Sequence, residues 1–123
     1  MLVVVLDNNK DVRNLLVDEL EISFEKIKVL EASSCNQAFD YIKDYQNEVK
    51  LIICSYRMPK RTCGDLYHQV SKMFPTQLPF IFILGEKPDK ELKKIMDNPD
   101  VLFLRKPWGI DGLTDHVKKL ISE

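Results

Sequence analysis

Short apolar runs alternate with segments of helical period along the whole chain. Residues 3–6 are all apolar and rich in Val, the pattern of a strand buried on both faces. Val12, Leu15, Leu16 and Leu20 then recur at helical spacing, with Asn9 before them as a candidate cap. Lys28–Ala32 predicts a second strand, less apolar than the first. Ser34 and Gln37 form a capping-box pattern ahead of Ala38, Tyr41, Ile42 and Tyr45. Residues 51–54 predict a third strand. A third helix is marked by Leu66, Val70, Met73 and Phe74, with Gly64 at its start and Pro75 beyond its end. Phe80–Leu84 predicts a fourth strand, and Leu92, Ile95 and Met96 support only a short fourth helix entered through Pro88. Residues 101–104 predict a fifth strand, followed by a last helix carrying Ile110, Leu113, Val117, Leu120 and Ile121.

Strands alternating with helices in this way imply an α/β fold, a parallel sheet with helices on both faces. Ligands of such sheets bind outside the carboxyl ends of the strands. A length of 123 residues suits one domain over the whole chain. Eighteen basic against nineteen acidic residues leave a net charge of -1, which argues against a generic nucleic-acid binder and a polybasic membrane anchor. The first residues lack the basic flank and longer apolar stretch of a signal peptide, and no apolar run is long enough to span a bilayer. Cys35, Cys54 and Cys63 show no framework spacing, so reduced thiols and a cytoplasmic location are expected.

The strand ends bring chemistry-bearing residues to one rim. Strand one runs into Asp7-Asn8-Asn9, strand three into Ser55-Tyr56-Arg57-Met58-Pro59, strand four ends at Leu84-Gly85, and strand five runs into Arg105-Lys106-Pro107-Trp108. Asp7, Ser55 and Lys106 should therefore converge. A catalytic trio is one reading. An ion pair between Asp7 and Lys106 with Ser55 nearby is the plainer one, because buried charges survive when paired.

Three segments in this order and spacing, VVVLDNNKDVRNLL, ICSYRMP and LRKPW, resemble a bacterial response-regulator receiver domain. The resemblance covers essentially the whole chain and extends to KVLEASSCNQAFDYI and LPFIFILG. It implies a doubly wound, flavodoxin-like five-stranded parallel sheet of order 2-1-3-4-5. It also implies a phosphoryl group carried by an aspartate at the end of strand three. Two acids after strand one would help that aspartate hold a divalent cation. A hydroxyl after strand four and a lysine after strand five would contact the phosphoryl group, and an aromatic residue on strand five would change rotamer.

Carried onto this chain, Asp7 matches the first acid, but Asn8 stands at the second. Ser55 stands at the phosphoacceptor position and Leu84 at the switch hydroxyl. Lys106 and Pro107 match, the Lys106-Pro107 bond being a candidate cis peptide, and Phe103 fits the aromatic position. The loop over 59–64 is one residue longer than the common form. An aspartyl phosphate needs a carboxylate nucleophile and a metal. Ser55 is uncharged at neutral pH, and it lacks a general base if Asp7 is held by Lys106. Asp7 with the amide of Asn8 is a poor magnesium site, so metal binding is expected to be lost or very weak. Leu84 puts an apolar group where charge would arrive. Three departures together fit a naturally degenerate receiver better than one engineered change at Ser55.

The leading expectation is a non-enzymatic, phosphorylation-independent pseudo-receiver, a cytoplasmic signalling module of a two-component-type pathway. It would work through protein–protein interaction with a partner, an adjoining domain or a second copy, and the resemblance implies that this uses the surface of the fourth helix, fifth strand and fifth helix. No nucleic acid or membrane is expected on it. The alternative is an active switch with a non-standard acceptor, or one that binds a small anion at the Lys106 rim. A flavodoxin-like cofactor binder is disfavoured because Asp7-Asn8-Asn9-Lys10 has no glycine-rich phosphate loop. Other residues invite plain readings. Lys87, Lys90, Lys93 and Lys94 read as a solvated face, with a partner patch as the minority view. Cys63 and His68 lack the further ligands zinc needs. His116 reads as exposed and Cys54 as a buried apolar residue. Trp108 reads as a lid over the rim or a partner contact, and Arg57, Lys60 and Arg61 as a basic loop that attracts an anion.

Overall fold

The first strand, β1 (Leu2–Leu6), has no polar face because it divides its side chains between two cores. Val3 and Val5 enter one apolar cluster, Val4 and Leu6 the other, as the two-residue period of a strand requires. The structure is a computed structural model that describes residues 1–59, 61–74, 77–85, 87–109 and 112–121, with Arg61 as backbone alone. Lys60, Pro75 and Ile110, all singled out above, lie outside the described residues.

The main sheet contains β1, β2 (Lys28–Ala32), β3 (Val49–Ser55), β4 (Phe80–Leu84) and β5 (Val101–Arg105). All of its pairings are parallel, and its spatial order is 2-1-3-4-5 in these labels. The expected doubly wound α/β arrangement is therefore the observed one. A register shift between Leu2 and Val3 slips β1 past one residue of β3. This is why Val49 and Leu51, two apart in sequence, sit in different clusters.

Helices α1 (Lys10–Ser23) and α5 (Gly112–Ile121) cover one face through Leu16, Leu20, Leu113 and Val117. Helices α2 (Cys35–Asp44), α3 (Cys63–Ser71) and α4 (Lys90–Ile95) cover the other through Ala38, Ile42, Leu66, Val70, Leu92 and Ile95. The second core is the aromatic one. Tyr56, Tyr67, Phe80 and Phe82 meet edge-on or tilted, with ring centroids 5.2–6.2 Å apart.

The caps follow the sequence signals with small displacements. The Asn9 side chain accepts from the N–H groups of Asp11 and Val12 and starts α1. The Ser34 hydroxyl accepts from Gln37 N–H at 3.1 Å, but the Gln37 side chain returns to Ser33 N–H at 2.9 Å, one residue before a standard capping box. Of the apolar residues at helical spacing in α1, Leu16 and Leu20 are buried and Leu15 is 51% exposed. Helix α3 stops at Ser71, before Met73 and Phe74. Phe74 still packs on the core from beyond the helix end.

Candidate functional site

The rim begins where β1 ends. Asp7 keeps its N–H on Ala32 O at 3.1 Å, so the sheet still fixes its backbone. Its carbonyl accepts from the Arg13 guanidinium at 2.8 Å, and Arg13 also pairs with Glu31 at 3.3 Å. The Asp7 carboxylate is only 2% exposed. One oxygen accepts from Asn9 N–H at 2.8 Å, a local turn that aspartate favours because its side chain reaches two residues on. The other oxygen accepts from the Ser55 hydroxyl and lies 4.0 Å from the Lys106 ammonium.

Ser55 is the last residue of β3 and is buried. The Cys63 thiol donates to its carbonyl at 2.9 Å, and Tyr56 N–H continues the β3–β4 pairing to Ile83 O at 3.0 Å. Lys106 N–H bonds Leu84 O at 2.9 Å, which carries the lysine across the end of β4. The Lys106-Pro107 peptide is cis. Asp7, Ser55 and Lys106 thus converge as expected, but the sharing of Asp7 is different. Ser55 and Lys106 meet the same carboxylate oxygen, so Asp7 need not leave Lys106 to accept from Ser55.

Leu84 is 5% exposed and turns the rim apolar at the end of β4. Beside it lies a cavity of about 130 Å³ bounded by Ser55, Tyr56, Arg57, Leu84, Lys87 and Lys106, among others. Asn8 is exposed. Phe103 sits opposite Phe82 in register and packs, half-buried, on the aromatic core.

A divalent cation does not suit this donor set. Magnesium takes hard oxygen ligands in octahedral array, commonly one or two carboxylates with phosphate oxygens. Asp7 is the rim carboxylate among the described residues, and both of its oxygens already accept hydrogen bonds. No group of three His, Cys, Asp or Glu residues stands ready to hold a metal among the described residues.

Residues 3–118 match the family model for the response regulator receiver domain. The chain belongs to that family. It is a receiver domain of the two-component signalling class. A response regulator receiver protein from Pseudomonas putida is 27% identical, with 96% of this chain and 95% of that one aligned at a TM-score of 0.81. A receiver domain protein from Clostridium thermocellum shares the fold at 22% identity and a TM-score of 0.82, covering 98% and 93% of the two chains. The receiver domain of the hybrid histidine kinase CckA does so at 22% identity and 0.79, covering 99% and 100%. No curated protein matches the chain.

Two side chains of this receiver are placed otherwise than expected, and one was overlooked. His116 is half-buried, not exposed, because α5 lays its Nε2 against Phe103 O at 2.6 Å. Trp108 is half-buried and does not line the rim cavity. Its indole N–H donates to the Glu19 carboxylate at 3.2 Å, which ties the end of β5 to α1. Cys63 is buried while His68 is exposed, so the two do not form the start of a metal site. Cys54 is buried, as expected.

The overlooked residue is Tyr56. It is 3% exposed, stacks edge-on to Phe82 and donates its hydroxyl to Asp89 at 3.0 Å. Asp89 in turn caps α4 by accepting from Leu92 N–H at 2.8 Å. Burial and the hydrogen bond to Asp89 push the tyrosine pKa well above its usual range, against a smaller opposing effect of Thr62. The signal was available as a Tyr directly after the third strand and an Asp before the fourth helix, but periodicity says nothing about a pair so far apart in sequence.

Proposed function

We propose that this receiver signals without aspartyl phosphorylation, as a non-enzymatic pseudo-receiver that works through protein–protein contact. The supporting observation is the contact between the Ser55 hydroxyl and Asp7. At the end of β3, where the family resemblance implies an acceptor carboxylate, stands a neutral donor already engaged. Asp7 uses both oxygens on protein groups, which leaves magnesium binding lost or very weak. Leu84 supplies no hydroxyl with which the end of β4 could follow a phosphoryl group.

The output face is that of α4, β5 and α5. Lys90, Lys93 and Lys94 on α4 and Lys118 and Lys119 on α5 are exposed, which favours an acidic protein partner or adjoining domain. A second copy of the chain is the other occupant of this face, and the setting is bacterial and cytoplasmic.

The competing reading makes Ser55 the acceptor and Asp7 its base, and it draws on the same contact. It requires a donor phosphate to approach a buried carboxylate with no metal between them, which costs more than the hydrogen bond returns. Incubation with a small-molecule acyl phosphate, with and without magnesium, followed by intact-mass measurement, separates the two. An unchanged mass is expected. A gain of one phosphoryl group mapping to Ser55 overturns the proposal.

A further inference from the structure

We propose that α4 is held by a two-carboxylate clamp built on the segment between β3 and α3, and that this clamp sets the order of the α4 part of the output face. The proposal deepens the phosphorylation-independent reading, on which its regulatory meaning rests, by naming what controls that face in place of a phosphoryl group.

The segment is a small folded unit. Cys63 N–H donates to Tyr56 O at 2.8 Å, and between them Arg57–Met58 pairs antiparallel with Arg61–Thr62. Both ends of this turn reach α4. At one end the Tyr56 hydroxyl donates to Asp89 Oδ1 at 3.0 Å, and the same oxygen accepts from Leu92 N–H at 2.8 Å, so one atom joins the tyrosine to the first turn of α4. At the other end the Thr62 hydroxyl donates to Glu91 Oε1 at 3.5 Å. Asp89 and Glu91 are both half-buried, their carboxylates turned to the protein and not wholly to water.

Gly64 shows that the second contact is built in. It is the second residue of α3, buried, and no described glycine has a positive φ, so its backbone does not require glycine. Glycine inside a helix costs stability relative to alanine. What it supplies is room, since a Cβ at this position would collide with the Glu91 carboxylate. Glu91 therefore lies over the start of α3, where Thr62 provides no side-chain cap and a negative charge is favoured. Helix α4 has six residues, too few to be stable alone, so its order depends on ties to the rest of the fold. Leu92 and Ile95 anchor it to the core, and the clamp fixes its first turn. Lys90, Lys93 and Lys94 ride on this helix, so its local opening changes how they meet a partner.

The test is hydrogen exchange of the whole chain, read residue by residue by NMR. Alanine for glycine in a helix ordinarily stabilises it. Gly64→Ala should instead displace Glu91 and speed exchange at Leu92, Lys93 and Met96 roughly fivefold, with the amides of β1 and α5 unchanged. Glu91→Ala should give the same acceleration. Gly64→Ala added to Glu91→Ala should add none at α4, because the group it collides with is gone. Tyr56→Phe with Glu91→Ala removes both ties and should speed α4 more than either change alone. Gly64→Ala that leaves α4 unchanged, or that speeds it equally with and without Glu91, overturns the clamp. So does acceleration spread evenly over the sheet, or an α4 as well protected in the Tyr56→Phe, Glu91→Ala variant as in the parent. A mass gain of the parent with an acyl phosphate overturns the phosphorylation-independent reading, and the exchange cycle, run without a phosphodonor, still decides the clamp.

Discussion

On the β1 side of the rim, the Asp7 carboxylate is buried and both of its oxygens are engaged, by Asn9 N–H on one and by Ser55 and Lys106 on the other. On the β4 side, Arg57 and Lys87 are exposed and line a cavity beside the apolar Leu84. The first half resembles a protein core in its demand that every polar group be paired. The second half faces solvent, and its side chains line a concave space instead of closing on one another. Substitutions in the first half should therefore cost more stability than substitutions in the second half.

Removing the centre of the paired half gives the largest effect. Asp7→Ala leaves the Ser55 hydroxyl, Asn9 N–H and Lys106 without their shared acceptor, and should cost about 3 kcal/mol in urea unfolding. Lys87→Gln, on the open half, should stay within about 0.5 kcal/mol of the parent. Equal losses in the two variants would erase the distinction between the halves.

Adding a carboxylate to the paired half comes next. Ser55→Asp places a second acid beside Asp7, with Lys106 able to offset only one charge. Like charges raise the new carboxylate's pKa above its unfolded value. The folded state then holds that proton more tightly, so stability is highest below the ordinary carboxylate range and falls as pH rises through it. The loss at neutral pH should be about 1–3 kcal/mol, by thermal or urea unfolding at several pH values. The same variant should not become a working switch. If it is phosphorylated slowly, Leu84 still offers no hydroxyl, and the modification interacts no differently with two states of β4. Treated with an acyl phosphate, Ser55→Asp should show NMR shifts confined to the rim, whereas Ser55→Asp with Leu84→Thr should carry them to Phe103. Shifts reaching Phe103 and α4 in the single variant would show that Leu84 does not block the readout.

The two halves were also unequally legible in the sequence. The convergence of Asp7, Ser55 and Lys106 follows from strand ends in a parallel sheet, because the rim is where β1, β3 and β5 all finish. Asn9 and Ser34 were readable because a cap is a short-range pattern. Helical spacing alone does not separate Leu15 from Leu16, because it admits a residue one position off the buried stripe, and only the contact with the sheet decides between them. The contacts of His116 and Trp108 were not legible because their partners, Phe103 O and Glu19, belong to other elements. Tyr56 and Asp89 lie 33 residues apart, and nothing in either segment's own pattern announces the bond. Local chemistry was thus visible, and cross-element chemistry became visible only where the topology forced residues together.

The Tyr56–Asp89 bond belongs to the cavity side of the rim, and its loss should have a smaller, local effect. Tyr56→Phe keeps the ring on Phe82 and removes one charge-assisted hydrogen bond, for about 1–2 kcal/mol. Hydrogen exchange should report that loss at Leu92 and Lys93 in α4 more than in β3. The pH dependence has a definite sign. The folded-state tyrosine pKa is raised, so its contribution is complete below the unfolded value near about 10 and is lost as pH rises beyond it. Tyr56→Phe should lack that part of the alkaline decline, which unfolding curves of the two proteins on either side of that pH would reveal.

The smallest effect on stability belongs to the surface farthest from the paired half. Lys90 and Lys94 are exposed and lie four residues apart on α4. Lys90→Glu with Lys94→Glu should therefore leave unfolding within about 0.5 kcal/mol of the parent. Lys90 follows the Asp89 cap directly, so a slight weakening of the first turn is offset by the favourable placement of an acid at a helix start. Binding should respond quite differently. If α4 meets an acidic partner, reversing two charges slows encounter and inverts the dependence on salt, so that association weakens most at low ionic strength, where screening is least. Surface-binding kinetics at several salt concentrations, with the partner recovered on the parent protein, would measure this. An unchanged rate and salt slope, with shifts on another face, would remove α4 from the interface while leaving the difference between the two halves of the rim intact.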